Sequence, residues 1–494
     1  MKKLIRYCIL ILSFAFFLNG YLLELYNVML VGVLLMSAHN FIYGFENFHK
    51  RILFVFFNFS FFIFLIGRPF IRLLQGKEWV NFEKPAMYFA LGSIFISLIV
   101  FFAGGVFAES MISSKKSKPI EAYKTDKDYI DKIKRFALFL FYIAAAAFII
   151  SEISKIIYMS GRDYVEYYLT YENTLPLPIR ALGSLMNPAL CIFLAAMPKK
   201  RTTVIPFIIF IISSVPMLII GQRNPIVLNI MFILAYYFIR DISIIKKGLQ
   251  FKKWVGKREK IAIIILLPLV IIGLGVYNYT REGQEMANTS PISVVSDFID
   301  KQGVSFDVLS RGYNAIPDLP DEGIKCYTFG DLIDYYTRGS IGRMVFGTED
   351  LGKGNNALRA IYGNNFSHSM SYAARGQEYL EGHGWGSSYI LETYADFGWA
   401  GVIVFNFLLG MLLIYLIKFI KSGWLISSIS LYALTSIFFM PRAEATGFLS
   451  FLYTHYFWMA VIFCLFAAKL CVKKYSFENL KKGSIALQGR KFEI

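Results

Sequence analysis

The chain has 494 residues, of which 56% are hydrophobic and 17% are charged. Soluble domains carry about 25% charged residues, so this composition excludes an ordinary soluble protein and indicates an all-α polytopic membrane protein. The formal net charge is +17, but the lysines behind it concentrate in loops between apolar segments, which argues against a nucleic-acid partner.

Apolar runs that could cross a bilayer recur along the chain. A hydrocarbon core of about 30 Å requires roughly 20 apolar residues in a helix, and some of these runs are shorter. The sequence predicts about twelve spans, at residues 7–22, 25–45, 52–67, 86–107, 136–158, 181–197, 203–220, 226–240, 261–278, 390–417, 424–440 and 447–468. The N-terminus resembles a signal peptide but lacks a small-residue cleavage site, so it is predicted to stay as the first span.

The lysine-rich segments give the predicted orientation. They lie at residues 114–135, 199–201, 245–260 and 473–494, all on one side when twelve spans are counted. Because basic loops stay in the cytoplasm, both termini are predicted to be cytoplasmic. The chain then divides into nine spans (1–278), an extracytoplasmic loop (279–386), three spans (387–470) and a basic cytoplasmic tail (471–494).

The predicted outer loop is too long for a simple connection. Structureless loops above about 15 residues are uncommon in compact proteins, and apolar residues recur at helical spacing in 293–313 and 329–347. We therefore expect a cap of short amphipathic helices over the membrane mouth. The loop holds nine Lys or Arg and fourteen Asp or Glu, so the excess positive charge of the chain lies elsewhere.

Arginine, unlike lysine, concentrates on the predicted outer side. Only six of the 32 lysines lie there, compared with twelve of the 19 arginines. The guanidinium group binds phosphate and carboxylate through paired hydrogen bonds, so the pattern points to an outer site for a phosphate-bearing or acidic substrate. The alternative for each loop arginine is an ion pair with a loop carboxylate. The candidate binding residues are Arg223, Arg281, Arg311, Arg338, Arg359 and Arg375.

Arg223 and Arg442 each follow an apolar helix at a tight outer turn, in LIIGQRNPIV and FFMPRAEATGFL. A charge near hydrocarbon is costly and seldom kept without a partner, so both side chains are expected to face other helices at the membrane surface. Arg442 is a catalytic candidate. Snorkelling toward the lipid headgroups is the alternative interpretation.

Glu392 and Asp396 lie four residues apart at the predicted outer start of the tenth span. This spacing puts both side chains on one helix face, so we expect them to line one cavity, with Glu392 catalytic and Asp396 contacting substrate. An acidic helix start favoured by the helix dipole is the alternative for Glu392. His368, between Ser367 and Ser369, is a candidate base or sugar ligand.

No metal, cofactor or nucleotide site is predicted. The five cysteines show neither a disulfide framework nor the spacing of metal ligands. The two outer histidines, His368 and His383, have no HxxxH partner or nearby carboxylate cluster. The sequence also has no P-loop, no GxGxxG and no serine-nucleophile elbow, so cytoplasmic nucleotide is not an expected energy source.

The segment GHGWGSSYILETYADFGWAGVIVFNFLLG, residues 382–410, resembles the glycine-rich segment of bacterial O-antigen and oligosaccharide repeat-unit polymerases of the Wzy type. The GQR turn, the Arg442 turn, the dozen or so spans and the single long outer loop are similar to that family as well. The resemblance implies a membrane core like that of a C-type glycosyltransferase. Glu392 falls on the glutamate of the family segment, whereas Asp396 falls on a variable position.

The resemblance also implies a reaction. Such an enzyme transfers a growing glycan from polyprenyl diphosphate to the non-reducing end of the next lipid-linked repeat unit, on the outer face of the cytoplasmic membrane, and releases the lipid diphosphate. Outer arginines would bind the diphosphate, and a carboxylate or histidine would take the acceptor proton. The substrate carries the leaving-group energy, so neither cofactor nor metal is implied. Beyond its lipid-linked substrates and the bilayer, a chain-length regulator and a flippase are the implied partners.

Other interpretations stay open. A flippase for lipid-linked oligosaccharides could have twelve spans, although a transporter would more often show pseudo-repeated halves and charges at midplane. A glycan ligase would share the topology and the outer arginines. A structural scaffold of the envelope machinery would leave the sorting of arginine unexplained. The product, whether capsule, O-antigen or exopolysaccharide, is also open.

Overall fold

The computed structural model describes residues 2–114, 127–162, 164–245, 253–281, 290–323 and 325–471, and these ranges are helical without strands. Parts of the two basic loops at 114–135 and 245–260 lie outside the described residues. The predicted basic tail does too, except for its first residue, Cys471.

The part of the chain before the predicted outer loop is a succession of helices. They are α1 (Lys2–Leu22), α2 (Tyr26–Glu46), α3 (Phe48–Phe61), α4 (Gly67–Leu74), α5 (Lys84–Ser114), α6 (Lys127–Met159), α7 (Tyr164–Thr170), α8 (Leu177–Gly183), α9 (Met186–Ala195), α10 (Lys200–Ile212), α11 (Val215–Ile219), α12 (Asn224–Ile245) and α13 (Lys257–Arg281). A short π-helical stretch, Phe62–Ile66, joins α3 to α4.

The cap that follows consists of short helices. They are α14 (Pro291–Gln302), α15 (Ser305–Ala315), α16 (Gly330–Arg338), α17 (Ser340–Phe346), α18 (Ala357–Tyr362), α19 (Phe366–Arg375) and α20 (Gln377–Leu380), with 3-10 turns at Ile316–Asp318 and Tyr327–Phe329. The C-terminal part contains α21 (Tyr389–Phe419), α22 (Trp424–Leu434), 3-10 helices Ile437–Arg442 and Gly447–Leu452, and α23 (His455–Cys471).

Ten helical segments of the described chain are long and apolar enough to cross a membrane. They are Lys3–Leu22, Tyr26–Glu46, Phe48–Leu74, Lys84–Ser114, Lys127–Met159, Leu177–Ala195, Lys200–Ile219, Lys257–Tyr277, Tyr389–Phe419 and Trp424–Arg442. Each coincides with a predicted span. The two other predicted spans, 226–240 and 447–468, correspond to α12 and to the region that contains the shorter apolar helix α23. The helical, polytopic architecture is confirmed, while the count of twelve and the division at 278, 386 and 470 stay predictions.

The long helices α5 and α21 pack with their backbones in contact. A Cβ added at Gly104 would overlap the carbonyl group of Phe407, and one at Gly410 would overlap the backbone of α5. Small residues permit such close approach, and the resulting van der Waals contact stabilises helix pairs where water is absent. The buried amide of Asn406 adds a polar link, because it donates to the hydroxyl of Ser97 at 3.1 Å.

Charged contacts distinguish the two ends of the bundle. At one end Arg51 pairs with Glu109 at 2.6 Å, and both residues were predicted to be cytoplasmic. At the other end Arg72 pairs with Asp300 of α14 at 2.8 Å, which joins a predicted outer turn to the cap. Residues predicted on one side therefore meet at one end, and the orientation of that end in the membrane stays a prediction.

The cap rests on the bundle through α14 and α15. Gly303, which lies between them, comes so close to Arg68 that an added Cβ would overlap its backbone. The Arg68 side chain donates to the carbonyl of Asp300 at 3.0 Å and pairs with Asp307. The docking of the cap thus combines a close backbone contact with charged hydrogen bonds.

Gly104→Ala should destabilise the protein, because the added methyl group must displace the α21 backbone. Overpacking of this kind costs about 1–3 kcal/mol, so thermal unfolding in detergent should begin at a lower temperature. Gly92→Ala in the same helix is the control, since a Cβ there meets only the Trp399 ring at 3.8 Å. Equal melting temperatures for the two variants would contradict the packing argument.

Candidate functional site

Residues 442–447, here named the Arg442 loop, connect the two C-terminal 3-10 helices and contact the cap in two places. Arg442 donates from Nη1 to the side-chain oxygen of Gln302 at 3.2 Å and to its carbonyl at 3.3 Å. Thr446 donates from its hydroxyl to the carbonyl of Thr328 at 2.7 Å. The loop therefore links the membrane core to the end of α14 and to the turn that precedes α16.

Glu392, in the first turn of α21, holds the middle of the Arg442 loop. Its side chain is fully buried. One carboxylate oxygen accepts from the N–H of Ala445 at 2.7 Å, and the other accepts from the Ser387 hydroxyl at 2.7 Å. A buried polar group keeps its place only when it is hydrogen-bonded, so these contacts suit a positioning role. The predicted catalytic role of Glu392 stays a prediction.

Asp396, one turn further along α21, has different partners. Its carboxylate accepts from the backbone N–H groups of Tyr327 at 3.0 Å and Thr328 at 2.6 Å. These N–H groups belong to the first residues of a 3-10 turn, where a negative charge is favourable. Glu392 and Asp396, which were expected to line one cavity, thus bind separate segments, and a substrate contact by Asp396 stays a prediction.

Three arginines from distant parts of the sequence form a basic cluster: Arg68, Arg223 and Arg442. The charges of Arg68 and Arg223 act directly on Arg442. Arg68 is compensated by Asp300 and Asp307. The two outer-turn arginines singled out in the sequence are therefore brought together, and Arg68 joins them as a member that the sequence did not single out.

An apolar cavity of about 290 Å³ lies next to the basic cluster. Its lining includes Gln302, the partner of Arg442, and Asn224, which follows Arg223 in the chain. Most of the remaining lining consists of apolar side chains, such as Leu228 of α12. They come from α3, α12, α13, α14 and the π-helical stretch. The cavity can therefore hold a hydrocarbon chain whose polar end reaches the arginines.

A second cavity, of about 340 Å³, lies between α16, α18 and the segment before α23. It is lined by Asp331, Asp334, Tyr335, Leu351, Gly352, Arg359, Asn365, Ser450 and Tyr453. Glu444 of the Arg442 loop adjoins it, because the Asn365 amide donates to the Glu444 carboxylate at 3.4 Å. We call this space the acidic cavity, and it is polar where the first cavity is apolar.

Asp331 is a titratable group of the acidic cavity whose pKa is shifted toward neutral pH. Its pKa is raised to about 6, mainly by burial and then by the negative charges of Glu444 and Asp334, against the charge of Arg359. A carboxylate whose pKa lies near the working pH can accept a proton from a reacting hydroxyl. Asp331 was not among the residues predicted from the sequence, because an acidic residue in the first turn of a helix is ordinary.

His368 lies in α19, and a hydrogen bond of 2.8 Å joins its Nδ1 and the hydroxyl of Tyr379. Burial, followed by the charge of Arg359, lowers its pKa to about 4. The imidazole is therefore neutral at pH 7 and a weak base. Its contact with Tyr379 holds α19 against α20, and its predicted role as base or sugar ligand stays a prediction.

Arg311 and Arg375 lie on the ring of Trp385, at 4.7 and 5.2 Å from its centroid. Arg375 also pairs with Glu378 at 2.7 Å. Such cation–π contacts stabilise a surface by about 0.5–1 kcal/mol each. The two arginines thus help to fix the glycine-rich segment before α21. The pair of Arg375 with Glu378 is of the kind described by the ion-pair alternative for loop arginines.

The other predicted arginines lie in different surroundings. Arg338 lies 6.0 Å from the centroid of the Tyr362 ring. Arg359 lines the acidic cavity. Arg281 ends α13, and its side chain lies outside the described part of the chain. The predicted set of binding arginines is therefore distributed over several places, and only Arg223 joins Arg442 in the basic cluster of the described residues.

The sequence of the chain matches one protein-family model over most of its length. The family model described as O-antigen polysaccharide polymerase Wzy matches residues 5–475. The chain belongs to this family. It is thus a multi-pass membrane protein of the bacterial inner membrane and a glycosyltransferase-type enzyme that polymerises O-antigen repeat units. No curated protein and no solved structure matches it.

Members of the Wzy family act on lipid-linked oligosaccharide repeat units in the membrane. Such a substrate combines a hydrocarbon chain, an anionic link and a hydroxyl-rich glycan. The apolar cavity, the basic cluster and the acidic cavity offer matching chemistry to these three parts. The Arg442 loop connects the matching surfaces, because Arg442 belongs to the basic cluster and Glu444 adjoins the acidic cavity.

Glu392→Ala should lower both stability and activity, because the buried N–H of Ala445 loses its acceptor. The loss of such a hydrogen bond costs about 1–3 kcal/mol. Glu392→Gln is the matched variant, since its amide oxygen can still accept from Ala445 and its NH₂ group can donate to Ser387. Thermal unfolding in detergent and polymer formation in a strain without its own copy are measured together. A stable but inactive Glu392→Gln protein would overturn the positioning role and favour a catalytic one.

Proposed function

We propose that the protein polymerises polyprenyl-diphosphate-linked oligosaccharide repeat units on the outer face of the cytoplasmic membrane, with both termini in the cytoplasm. The growing glycan passes from its lipid diphosphate to a hydroxyl at the non-reducing end of the next unit. The observation that carries this proposal is the Arg442 loop, which joins a basic cluster beside an apolar cavity to an acidic cavity.

The donor is held at the basic cluster. Its prenyl chain enters the apolar cavity, and its diphosphate contacts Arg442 and Arg223. Arg442 is suited to this because, within the described part of the chain, its side chain donates to the neutral groups of Gln302 and to no carboxylate. Preorganised positive groups stabilise the charge that develops on a leaving group. The diphosphate therefore leaves from a site already arranged to receive its charge.

The acceptor is held in the acidic cavity. Arg359 and Asn365 offer hydrogen-bond donors to sugar hydroxyls, and Tyr335 and Tyr453 contribute aromatic rings to the lining. Asp331 accepts the proton of the attacking hydroxyl. Because Glu444 adjoins Asp331 and lies two residues from Arg442, the acceptor and the diphosphate can approach the same loop from different sides.

The bond changes balance without another reactant. The acceptor oxygen forms a bond to the anomeric carbon of the donor, while the bond from that carbon to the phosphate oxygen breaks. The hydroxyl proton goes to Asp331, and the electron pair of the broken bond leaves with the lipid diphosphate. The arginines supply the positive charge, so we expect the reaction to proceed without a divalent metal. A flippase that delivers the units and a chain-length regulator are the further partners of this scheme.

Arg442→Ala should abolish most polymerisation, because a group that stabilises leaving-group charge typically contributes about 100- to 1,000-fold in rate. The measurement uses purified protein in nanodiscs with polyprenyl-diphosphate-linked repeat units and reads a glycan ladder on a gel, with and without a chelator. Arg442→Lys should retain part of the activity. Arg162→Ala is the control, because Arg162 is an exposed arginine paired with Glu166 at 3.3 Å.

Each result of this experiment distinguishes between the proposed reaction, its proposed site and the alternative functions. A ladder that survives the chelator and disappears only in the Arg442 variants supports the proposed reaction and its site. A ladder that Arg442→Ala leaves intact keeps the reaction and removes the basic cluster from it. No ladder from folded wild-type protein given its cognate substrate would favour the ligase or the transporter interpretation.

The polymerisation rate should fall as the pH drops through about 6, where Asp331 becomes protonated and can no longer accept a proton. Asp331→Asn should remove this limb and lower the rate by about 10²- to 10⁴-fold. Glu444→Gln should move the midpoint to lower pH, because the negative charge of Glu444 raises the pKa of Asp331. An acid limb that is unchanged in both variants would exclude Asp331 as the base.

A further inference from the structure

Helix α17 of the cap presents large apolar side chains to its surroundings. The exposed fractions are 75% for Ile341, 81% for Met344, 64% for Val345 and 64% for Phe346. Burial of such a side chain is worth about 1.5–3 kcal/mol, so four of them in water on one helix of seven residues are costly. Exposed apolar surface of this kind marks a contact that the isolated chain lacks.

The helix before α17 lies next to the start of an apolar helix, and this position indicates what the exposed side chains of α17 contact. The preceding helix, α16, carries Tyr335 and Tyr336, whose ring centroids lie 5.4 and 6.3 Å from that of Tyr453. Tyr453 lies two residues before α23 begins at His455. Tyrosine and tryptophan are enriched where membrane spans enter the headgroup region, and these three rings form such a group at the start of an apolar helix.

The outward surface of α23 continues the same apolar character. Met459, Ile462, Phe466 and Leu470 are exposed by 45%, 63%, 65% and 53%, as expected of side chains that face hydrocarbon. Trp458 near the start of α23 donates its indole N–H to the carbonyl of Leu452 at 2.8 Å. The aromatic group thus lies between α23, which is predicted to face lipid, and a cap helix that is equally apolar.

The charge on α17 is neutralised within the cap. Arg343 is the charged residue of the helix, and its guanidinium pairs with Asp350. Gly347 ends the helix in the left-handed conformation, with φ of 65°, so the chain turns back toward polar residues after two turns. A short helix with apolar side chains and a compensated charge is suited to lie in the interface plane of a bilayer.

We propose that α17 lies in the membrane, with Ile341, Met344, Val345 and Phe346 inserted in the leaflet on the cap side. The membrane accounts for this surface better than a protein partner, because α16, which precedes α17, contacts Tyr453 through Tyr335 and Tyr336 at the start of α23, a helix predicted to span the membrane. The inserted helix anchors α16, which carries Asp331. This inference does not depend on the proposed reaction.

The test measures the depth of a nitroxide label at Met344→Cys in the full-length protein. Cys8, Cys326 and Cys471 are replaced by Ser, while Cys191 and Cys464 are fully buried and stay. The protein is placed in nanodiscs of phosphatidylethanolamine and phosphatidylglycerol. Collision of the label with oxygen, which concentrates in hydrocarbon, is compared with collision with a water-soluble nickel chelate.

The label at position 344 should collide severalfold more with oxygen, relative to the nickel chelate, than a label at Glu381→Cys on an exposed polar part of the cap. A second label at Val345→Cys should behave like that at 344, which guards against a local distortion. Preference for the nickel chelate at 344 and 345 would place α17 in water and overturn the proposal. Protection from both reagents would indicate a protein contact, such as a second copy, and would overturn it equally.

Discussion

The hydrogen bond from the N–H of Ala445 to the buried carboxylate of Glu392 is the constraint on which the rest of the site depends. Glu392 belongs to the first part of α21, which ends at a kink where Gly398 has a φ of 59°, and the part beyond the kink packs against α5 at Gly104 and Gly410. The Arg442 loop therefore has its middle attached to a fully buried side chain of the protein core. Because Glu444 directly precedes Ala445 and Arg442 lies only two residues further back, fixing Ala445 restricts where both charged side chains can point.

Arg442 and Glu444, two residues apart in this loop, carry opposite charges and have different partners. Arg442 donates to the neutral Gln302, whereas Arg68 beside it is compensated by Asp300 and Asp307. Glu444 instead accepts a hydrogen bond from the Asn365 amide of the cap, and its negative charge raises the pKa of Asp331. In surroundings of low dielectric constant a charge without a bonded counter-ion acts strongly on its neighbours. A positive and a negative centre can thus coexist within three residues without cancelling each other, which is the arrangement that a reaction with an anionic leaving group and a proton acceptor requires.

The sequence was sufficient for the features that depend on local patterns. Apolar runs predicted the helices of the membrane core, and the sorting of arginine led to the turns of Arg223 and Arg442, which the fold brings together. The contacts of Glu392 could not be predicted from a local pattern. Its i, i+4 spacing with Asp396 says nothing about Ala445, which follows α22 and a 3-10 helix in the chain. Asp331 has an ordinary place in the first turn of a helix, and its raised pKa could not be predicted because it comes from burial and from charges such as Glu444 on other elements. Local order is encoded in periodicity, whereas the chemistry of this site arises from contacts between distant segments.

The positions of the two cavities bear on how a polymerase with two lipid-linked substrates keeps them apart. If the donor chain fills the apolar cavity between α3, α12, α13 and α14, the lipid of the acceptor needs a different approach. The acidic cavity is lined by Tyr453 just before α23 and by Tyr335 of α16, so it adjoins the part of the cap that carries α17. An acceptor that arrives along this edge would keep its own lipid in the bilayer while its sugar end enters the cavity from the side. Donor and acceptor would then differ in which edge of the protein they use, and the Arg442 loop would be the place where they meet.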